Sequence, residues 1–125
     1  AALAQQITAE GRAAVYGLYF DSGSSELKTE SRPQLQQLAA YLSSNLAASV
    51  IVVGHTDSQG GLEPNLSLSQ RRADAVVSAL VGEYGIGRQR LTAKGVGMLA
   101  PVASNREPNG RSRNRRVEIV ERLAN

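Results

Sequence analysis

The sequence predicts an α+β fold of chain order βαβαββ, a two-layer sandwich in which two main helices pack on a mixed four-stranded β-sheet. Short runs of β-forming residues alternate with two long segments whose apolar residues recur at helical spacing. The chain of 125 residues has the length of one domain. Two helices and four strands bury their apolar faces most simply as two layers. We assign residues 1–12, which are rich in Ala and weakly patterned, to an N-terminal arm or linker, and residues 13–125 to the domain.

The first half of the chain supplies one strand and one helix. Residues 13–20, AAVYGLYF, predict a strand that the polar stretch DSGSS ends. A helix is predicted from Ser31, which stands at the N-cap position with Gln34 as its capping-box partner, to about Asn45. The apolar stripe of this helix consists of Leu35, Leu38, Ala39 and Leu42.

The second half supplies three strands and the second helix. Residues 49–55, SVIVVGH, are apolar without alternation, which predicts an inner strand covered on both faces. A helix over residues 65–84 is expected to end at Gly85. A strand over residues 90–97 follows, then an aperiodic segment, then a last strand over residues 114–121. The apolar stripe of the second helix consists of Leu68, Ala73, Val76, Val77 and Leu80.

Composition limits the function classes. The chain has no Cys, which excludes disulfides and thiolate metal sites, and no apolar run near the roughly 18 residues of a membrane helix. The net charge of +3 is concentrated between Arg106 and Arg116, a basic patch with five Arg and one Glu. Aromatic residues do not interleave with these arginines, so no nucleic acid partner is expected. The basic patch can also be explained without any partner, as an edge strand whose charge protects it from pairing with another strand.

Asp57 and Arg72 are the first candidates for a binding site. Asp57 follows the inner strand, and Arg72 lies near the start of the next helix, on or beside its apolar stripe. In a β-loop-α unit these positions are neighbours at the carboxyl edge of the sheet, where ligands of α/β proteins tend to bind. The pair suits a zwitterion, because Arg takes a carboxylate and Asp an ammonium group. A salt bridge between the two side chains, with a structural role only, is the alternative.

His55 is the sole histidine, and its chemistry is limited by its surroundings. The stretch His55-Thr56-Asp57 supplies two metal ligands at best, whereas zinc needs three or four. No nucleophile-elbow motif is present, and Gly95-Val96-Gly97 lacks the third glycine of a dinucleotide fingerprint. We expect no metal, no cofactor and no enzyme activity. His55 is expected to be structural.

Several stretches together resemble a known family. GHTDSQG, NLSLSQRRADAVVSAL, RLTAKGVGMLAPVASN and GRSRNRRVEIVE resemble, in order, the motifs of the OmpA-like C-terminal domain, and LYFDSGSSELK resembles its opening segment. This is the peptidoglycan-binding module of outer-membrane protein A, of the peptidoglycan-associated lipoprotein and of flagellar stator proteins. The similarity runs from about residue 14 to residue 121.

The resemblance implies non-catalytic binding of peptidoglycan through the meso-diaminopimelate of its stem peptide. The family's Asp and Arg contacts map onto Asp57 and, in LSQRRA, onto Arg72 rather than Arg71. One arginine of the N-R-R motif, Arg115 or Arg116, is expected to reach the ligand or a loop backbone. His55 is expected to brace the loop. The further ligand-site residues that the resemblance implies are Phe20, Asp21, Ser22, Thr56, Asn65 and Leu68.

The resemblance also implies a cellular setting. We expect a periplasmic module tethered to the outer membrane through an anchor outside this chain, and the resemblance leaves room for a homodimer. Two alternatives stay open. One is an envelope protein-interaction module that uses the basic patch. The other is a wall hydrolase with His55 and Asp57 as acid and base or as metal ligands, against which the missing third metal ligand argues.

Overall fold

The computed structural model describes residues 2–123 and has four helices and four strands. Two short 3₁₀ turns, Thr29–Ser31 and Arg88–Arg90, precede α2 and β3. Within residues 2–123 no helix combines the length and apolarity needed to cross a membrane. The elements in chain order are α1 (Ala2–Glu10), β1 (Arg12–Val15), α2 (Arg32–Ser44), β2 (Val50–His55), α3 (Leu62–Tyr84), β3 (Leu91–Gly97), α4 (Pro108–Asn114) and β4 (Val117–Glu121).

The four strands form one mixed sheet in the order β1-β4-β2-β3. β2 and β3 are parallel, as their connection through α3 requires, and the other two pairs are antiparallel. The predicted mixed sheet is therefore confirmed. β4 lies inside the sheet, so the alternative that the basic patch is an edge strand is wrong. Residues 108–114 of the basic patch form α4 instead of extended chain.

The hydrophobic core lies between one face of the sheet and the helices. Val52 and Ile119 pair at its centre and are 0% and 1% exposed. The four predicted stripe residues of α2 are all buried, as are Ala73, Val76, Val77 and Leu80 of α3. Residues 2–10, within the segment predicted as an arm or linker, form α1, whose Ile7 is buried in this core.

Three local predictions were wrong for physical reasons. Strand β1 ends at Val15 because its partner β4 begins only at Val117, opposite it. Ser31 does not cap α2, since its buried hydroxyl accepts from the Tyr19 N–H and donates to the Tyr19 carbonyl. β2 is covered on one face only, so that Ile51 is partly exposed.

Helix α3 crosses β2 and β3 at glycines. A Cβ on Gly54 would lie 2.5 Å from the Ser69 carbonyl oxygen, and a Cβ on Gly95 would collide with the Gln70 backbone nitrogen. Side chains of α3 also form hydrogen bonds with the backbone of β3. The Gly97 N–H donates to Ser69 Oγ and the Gly95 N–H to Gln70 Oε1, both at 2.9 Å. Helix and sheet are thus held at backbone contact, as expected for glycines on a strand that another backbone approaches.

We expect Gly95→Ala and Gly54→Ala to destabilise the protein by about 1–3 kcal/mol, since the added methyl group forces α3 away from the sheet. Gly82→Ala is the matched control. Gly82 lies in α3 with nothing within 4 Å of a Cβ, so this change should stabilise by up to about 1 kcal/mol. Urea unfolding measures all three. Equal free energies of unfolding for Gly95→Ala and Gly82→Ala would contradict the proposed packing.

Candidate functional site

Two adjoining cavities lie where the loop after β1, the loop after β2 and the start of β4 meet α3. One cavity, which Asp57 and Thr56 line, has a volume of about 560 Å³ and is called the Asp57 cavity. The other, which Tyr16 and Tyr19 line, has a volume of about 400 Å³ and is called the Tyr19 cavity. Phe20, Arg72 and Arg115 line both cavities, so they form the wall between them.

The Asp57 carboxylate is the acidic centre of the Asp57 cavity. Its side chain is 9% exposed. Oδ1 accepts a hydrogen bond of 2.9 Å from the Gln59 N–H, and Oδ2 forms an ion pair of 2.6 Å with Arg115 Nη1. Gly60 and Gly61 have φ of 96° and 89°, left-handed values that turn the loop into α3. The loop therefore places Asp57 at the end of β2, as the sequence predicts.

Thr56 and Asn65 hold the loop that carries Asp57. Thr56 Oγ1 donates to the Asp57 carbonyl at 2.8 Å, and Asn65 Nδ2 donates to the carbonyls of Asp57 and Gln59 at 3.3 and 2.9 Å. Both residues are buried. Thr56 also lines the Asp57 cavity, whereas Asn65 acts on the loop backbone from α3.

Arg72 extends from α3 into the wall between the two cavities. Its Nε donates to the Ser24 carbonyl at 2.8 Å and its Nη2 to the Asp21 carbonyl at 3.1 Å. Its Cζ lies 4.8 Å from the centre of the Phe20 ring, a cation–π distance. A guanidinium has five N–H donors, so three remain after these two bonds. Within residues 2–123 no carboxylate pairs with Arg72.

The electrostatics of Arg72 reflect this surplus of positive charge. Burial lowers the pKa of the Arg72 guanidinium, and the charges of Arg115 and Arg71 lower it further, while Asp57 raises it. A guanidinium nevertheless stays charged in proteins. An anion that enters the cavity would therefore gain an interaction that the free protein does not make.

The loop after β1 contributes its backbone more than its side chains. The Asp21 side chain is 76% exposed and pairs with Lys28 at 3.1 Å, while its carbonyl holds Arg72. Ser22 lines the Asp57 cavity from the same loop, and Leu68 lines it from α3. Sequence reasoning did not find Ser24, because a backbone carbonyl gives no residue-specific signal.

Arg115 and Arg116 have different surroundings. Arg115 is half-exposed and reaches Asp57. The Arg116 side chain is 2% exposed, forms an ion pair of 2.7 Å with Glu118 and donates to the Ala100 carbonyl at 3.0 Å. Arg12 binds the same Glu118 carboxylate at 3.1 Å. Arg116 thus contacts the Tyr19 cavity only, and its charge is neutralised by Glu118.

His55 is buried, and its ring nitrogens have no hydrogen-bond partner within residues 2–123. Its backbone N–H donates to the Arg116 carbonyl at 2.9 Å, but the side chain does not brace the loop as expected. Burial lowers the His55 pKa to about 4, with a smaller contribution from Arg116. In the described residues no group of three His, Asp or Glu side chains could hold a metal ion.

The basic patch becomes part of the site through α4. Asn114 is fully buried, and its amide binds the backbone of Val102 and Ala103, which ties the loop after β3 to α4. Arg111 donates to the Asn105 carbonyl at 2.9 Å. Arg113 is exposed on the same helix. The patch therefore positions Arg115 beside Asp57, a use that the charge pattern alone did not indicate.

Comparison with known proteins places these features in a family. The model of the OmpA family matches residues 19–115. Outer membrane protein A of Bordetella avium is 45% identical over 101 residues, which cover 81% of this chain and 52% of that protein. The chain spans about half the length of the first curated relatives that it matches.

Two solved structures are similar over nearly their whole length. The peptidoglycan-associated lipoprotein from Burkholderia pseudomallei has a TM-score of 0.75 and 33% identity, with 91% of this chain and 92% of that chain covered. The cell wall anchor of the T6SS from Pseudomonas aeruginosa has a TM-score of 0.73 and 33% identity, with 97% and 94% covered.

The buried His55 predicts a pH dependence of stability. Because its folded pKa lies below its ordinary value of 6.5, the unfolded state binds a proton more readily between pH 6.5 and about 4. The free energy of unfolding should therefore fall as the pH falls through this window, by about 3 kcal/mol in total. Urea unfolding at pH 7, 6 and 5 measures it.

His55→Gln is the control, since it cannot titrate. Burial raises the pKa of Glu118, but hydrogen bonds from Arg116 and Arg12 outweigh it and lower the pKa below 4.5. The stability that Glu118 contributes is therefore lost only below pH 4.5. The slope between pH 7 and 5 should shrink in His55→Gln; an unchanged slope would show that His55 is not its source.

Proposed function

This chain belongs to the OmpA family, and we propose on that premise that it is a non-catalytic module that binds peptidoglycan through the meso-diaminopimelate of the stem peptide. The observation that carries the proposal is that one cavity contains both a buried carboxylate, Asp57, and Arg72, an arginine with no carboxylate partner among residues 2–123. The free end of diaminopimelate bears an ammonium and a carboxylate on one carbon. A cavity with one group of each charge is complementary to it.

The proposed binding mode uses the unoccupied hydrogen-bonding capacity of both side chains. The ligand's carboxylate accepts the remaining N–H donors of Arg72. The ligand's ammonium donates to Asp57, because each carboxylate oxygen has about two acceptor sites and only one is used on each. Leu68 and Phe20 exclude water on the sides, which strengthens both ionic contacts.

Arg115, rather than Arg116, is the second arginine of the proposed site. It lies against Asp57 and is half-exposed, so it can shift toward a ligand carboxylate when the ammonium shares Asp57. Arg116 would have to break its buried ion pair with Glu118, which is costly. We therefore assign Arg116 a structural role just before the start of β4, where it pairs with Glu118.

The proposed cellular role is attachment to the cell wall. Similar proteins include an outer membrane protein, a peptidoglycan-associated lipoprotein and a cell wall anchor. We place this chain in the periplasm, where a tether holds it to the outer membrane. A homodimer remains a prediction.

Arg72→Ala and Asp57→Asn should each weaken binding to purified sacculi at least about tenfold, because each leaves one ligand charge without a partner in a partly desolvated cavity. Arg71→Ala is the matched control. Arg71 is the neighbouring residue on α3, is exposed and bonds only Ser67. Its removal should leave sedimentation with sacculi unchanged, and free meso-diaminopimelate should displace the wild type.

Circular dichroism of each variant separates loss of binding from loss of fold. If Arg72→Ala and Asp57→Asn bind sacculi as well as Arg71→Ala does, the assigned site is wrong. If the wild type itself stays in the supernatant, the family membership gives the fold without this function.

A further inference from the structure

The Tyr19 cavity has no role in the binding mode described above, although it adjoins the Asp57 cavity. Two tyrosines, Tyr16 and Tyr19, line it and are 48% and 50% exposed. Exposed aromatic rings beside a cavity offer a ligand a large contact area at little entropic cost.

Hydrogen bonds attach Tyr16 and the Tyr19 backbone, which line the Tyr19 cavity, to neighbouring elements. Tyr16 Oη donates to the Arg113 carbonyl at 3.1 Å, which attaches the ring to α4. The Tyr19 backbone bonds the buried Ser31 hydroxyl through both its N–H, at 2.7 Å, and its carbonyl, at 3.2 Å. A preformed cavity loses less entropy when it binds a ligand.

The charge of the Tyr19 cavity is positive. In the described part of the chain, three arginines and no Asp or Glu line it. Arg116 pairs with Glu118, and in the proposed binding mode Arg72 takes the carboxylate of diaminopimelate. Arg115, which lines both cavities and then shares Asp57 with the ligand's ammonium, is the cation available at the shared wall. A ligand that fits these walls therefore combines a carboxylate with a small apolar body.

We infer that the Tyr19 cavity is a second subsite, which takes a further carboxylate of the stem peptide next to the diaminopimelate residue. The inference rests on the proposed function, since it needs diaminopimelate in the adjoining Asp57 cavity. Two groups have the required chemistry: the α-carboxylate of the D-Glu before diaminopimelate and the carboxylate of the D-Ala after it. Both lie within one residue of diaminopimelate, and both are attached to a short apolar stem.

Ser112 allows the subsite to be tested apart from the Asp57 cavity. It is exposed on α4 and lines only the Tyr19 cavity. Ser112→Asp places a carboxylate in this wall and should repel the incoming carboxylate. Ser112→Asn is the matched control of nearly equal shape without the charge. Tyr19→Ala, at a half-exposed position, removes part of the wall without adding charge.

The experiment is calorimetric titration of the wild type and the three variants with four ligands. The first two are free meso-diaminopimelate and the tripeptide L-Ala-γ-D-Glu-meso-diaminopimelate. The other two are the same tripeptide amidated at the D-Glu α-carboxylate and the tetrapeptide ending in D-Ala. We expect the wild type to bind the better of the two carboxylate-bearing peptides roughly tenfold more tightly than free diaminopimelate. Ser112→Asp and Tyr19→Ala should lose most of that gain, and Ser112→Asn should keep it. The affinity for free diaminopimelate should change less than about twofold in all three.

The ligand series identifies the source of the carboxylate. A gain that amidation removes assigns the subsite to D-Glu, and a gain that appears only with the tetrapeptide assigns it to D-Ala. Equal affinity of the wild type for free diaminopimelate and all peptides would overturn the subsite while leaving the proposed function intact. An equal loss of affinity for every ligand in Ser112→Asp would also overturn the subsite and leave the proposed function intact. If no ligand binds the wild type, both proposals fail.

Discussion

The contact between α3 and the strands β2 and β3 is the constraint on which the rest of the structure depends. Glycine at Gly54 and Gly95 lets the helix lie on the sheet at backbone distance, and Ser69 and Gln70 bond the strand directly. Arg72 lies two residues after Gln70 in α3, so the crossing of helix and sheet sets the direction in which the Arg72 side chain extends. With side chains at the two glycines, the helix would stand off and the guanidinium would miss the loop carbonyls and the cavity wall.

Charge balance explains which arginine is available to a ligand. Three arginines meet at the two cavities, and two have carboxylate partners within the domain: Asp57 for Arg115 and Glu118 for Arg116. Arg72 is held instead by two carbonyls and the face of Phe20, contacts that fix its position without neutralising it. Such a preorganised and uncompensated cation is the property that separates a binding site from a structural ion pair.

The proposed binding mode depends on charged side chains whose positions the fold fixes. Asp57 is fixed by a backbone N–H and by Arg115, whereas His55 is buried in the wall of the Tyr19 cavity and does not line the Asp57 cavity. Fixed charges of this kind suit the proposed binding of a peptide. The chain spans about half the length of the first curated relatives that it matches.

The sequence by itself determined the class of fold, the helix stripes, the mixed sheet and the family, because apolar periodicity and ordered motifs are local and additive signals. It also placed Asp57 and Arg72 at one sheet edge. Only the tertiary structure decided that β4 lies inside the sheet, that Ser31 binds Tyr19 instead of capping α2, and that Arg115 and not Arg116 reaches Asp57. These outcomes depend on contacts between residues far apart in sequence, whose partners no local pattern identifies.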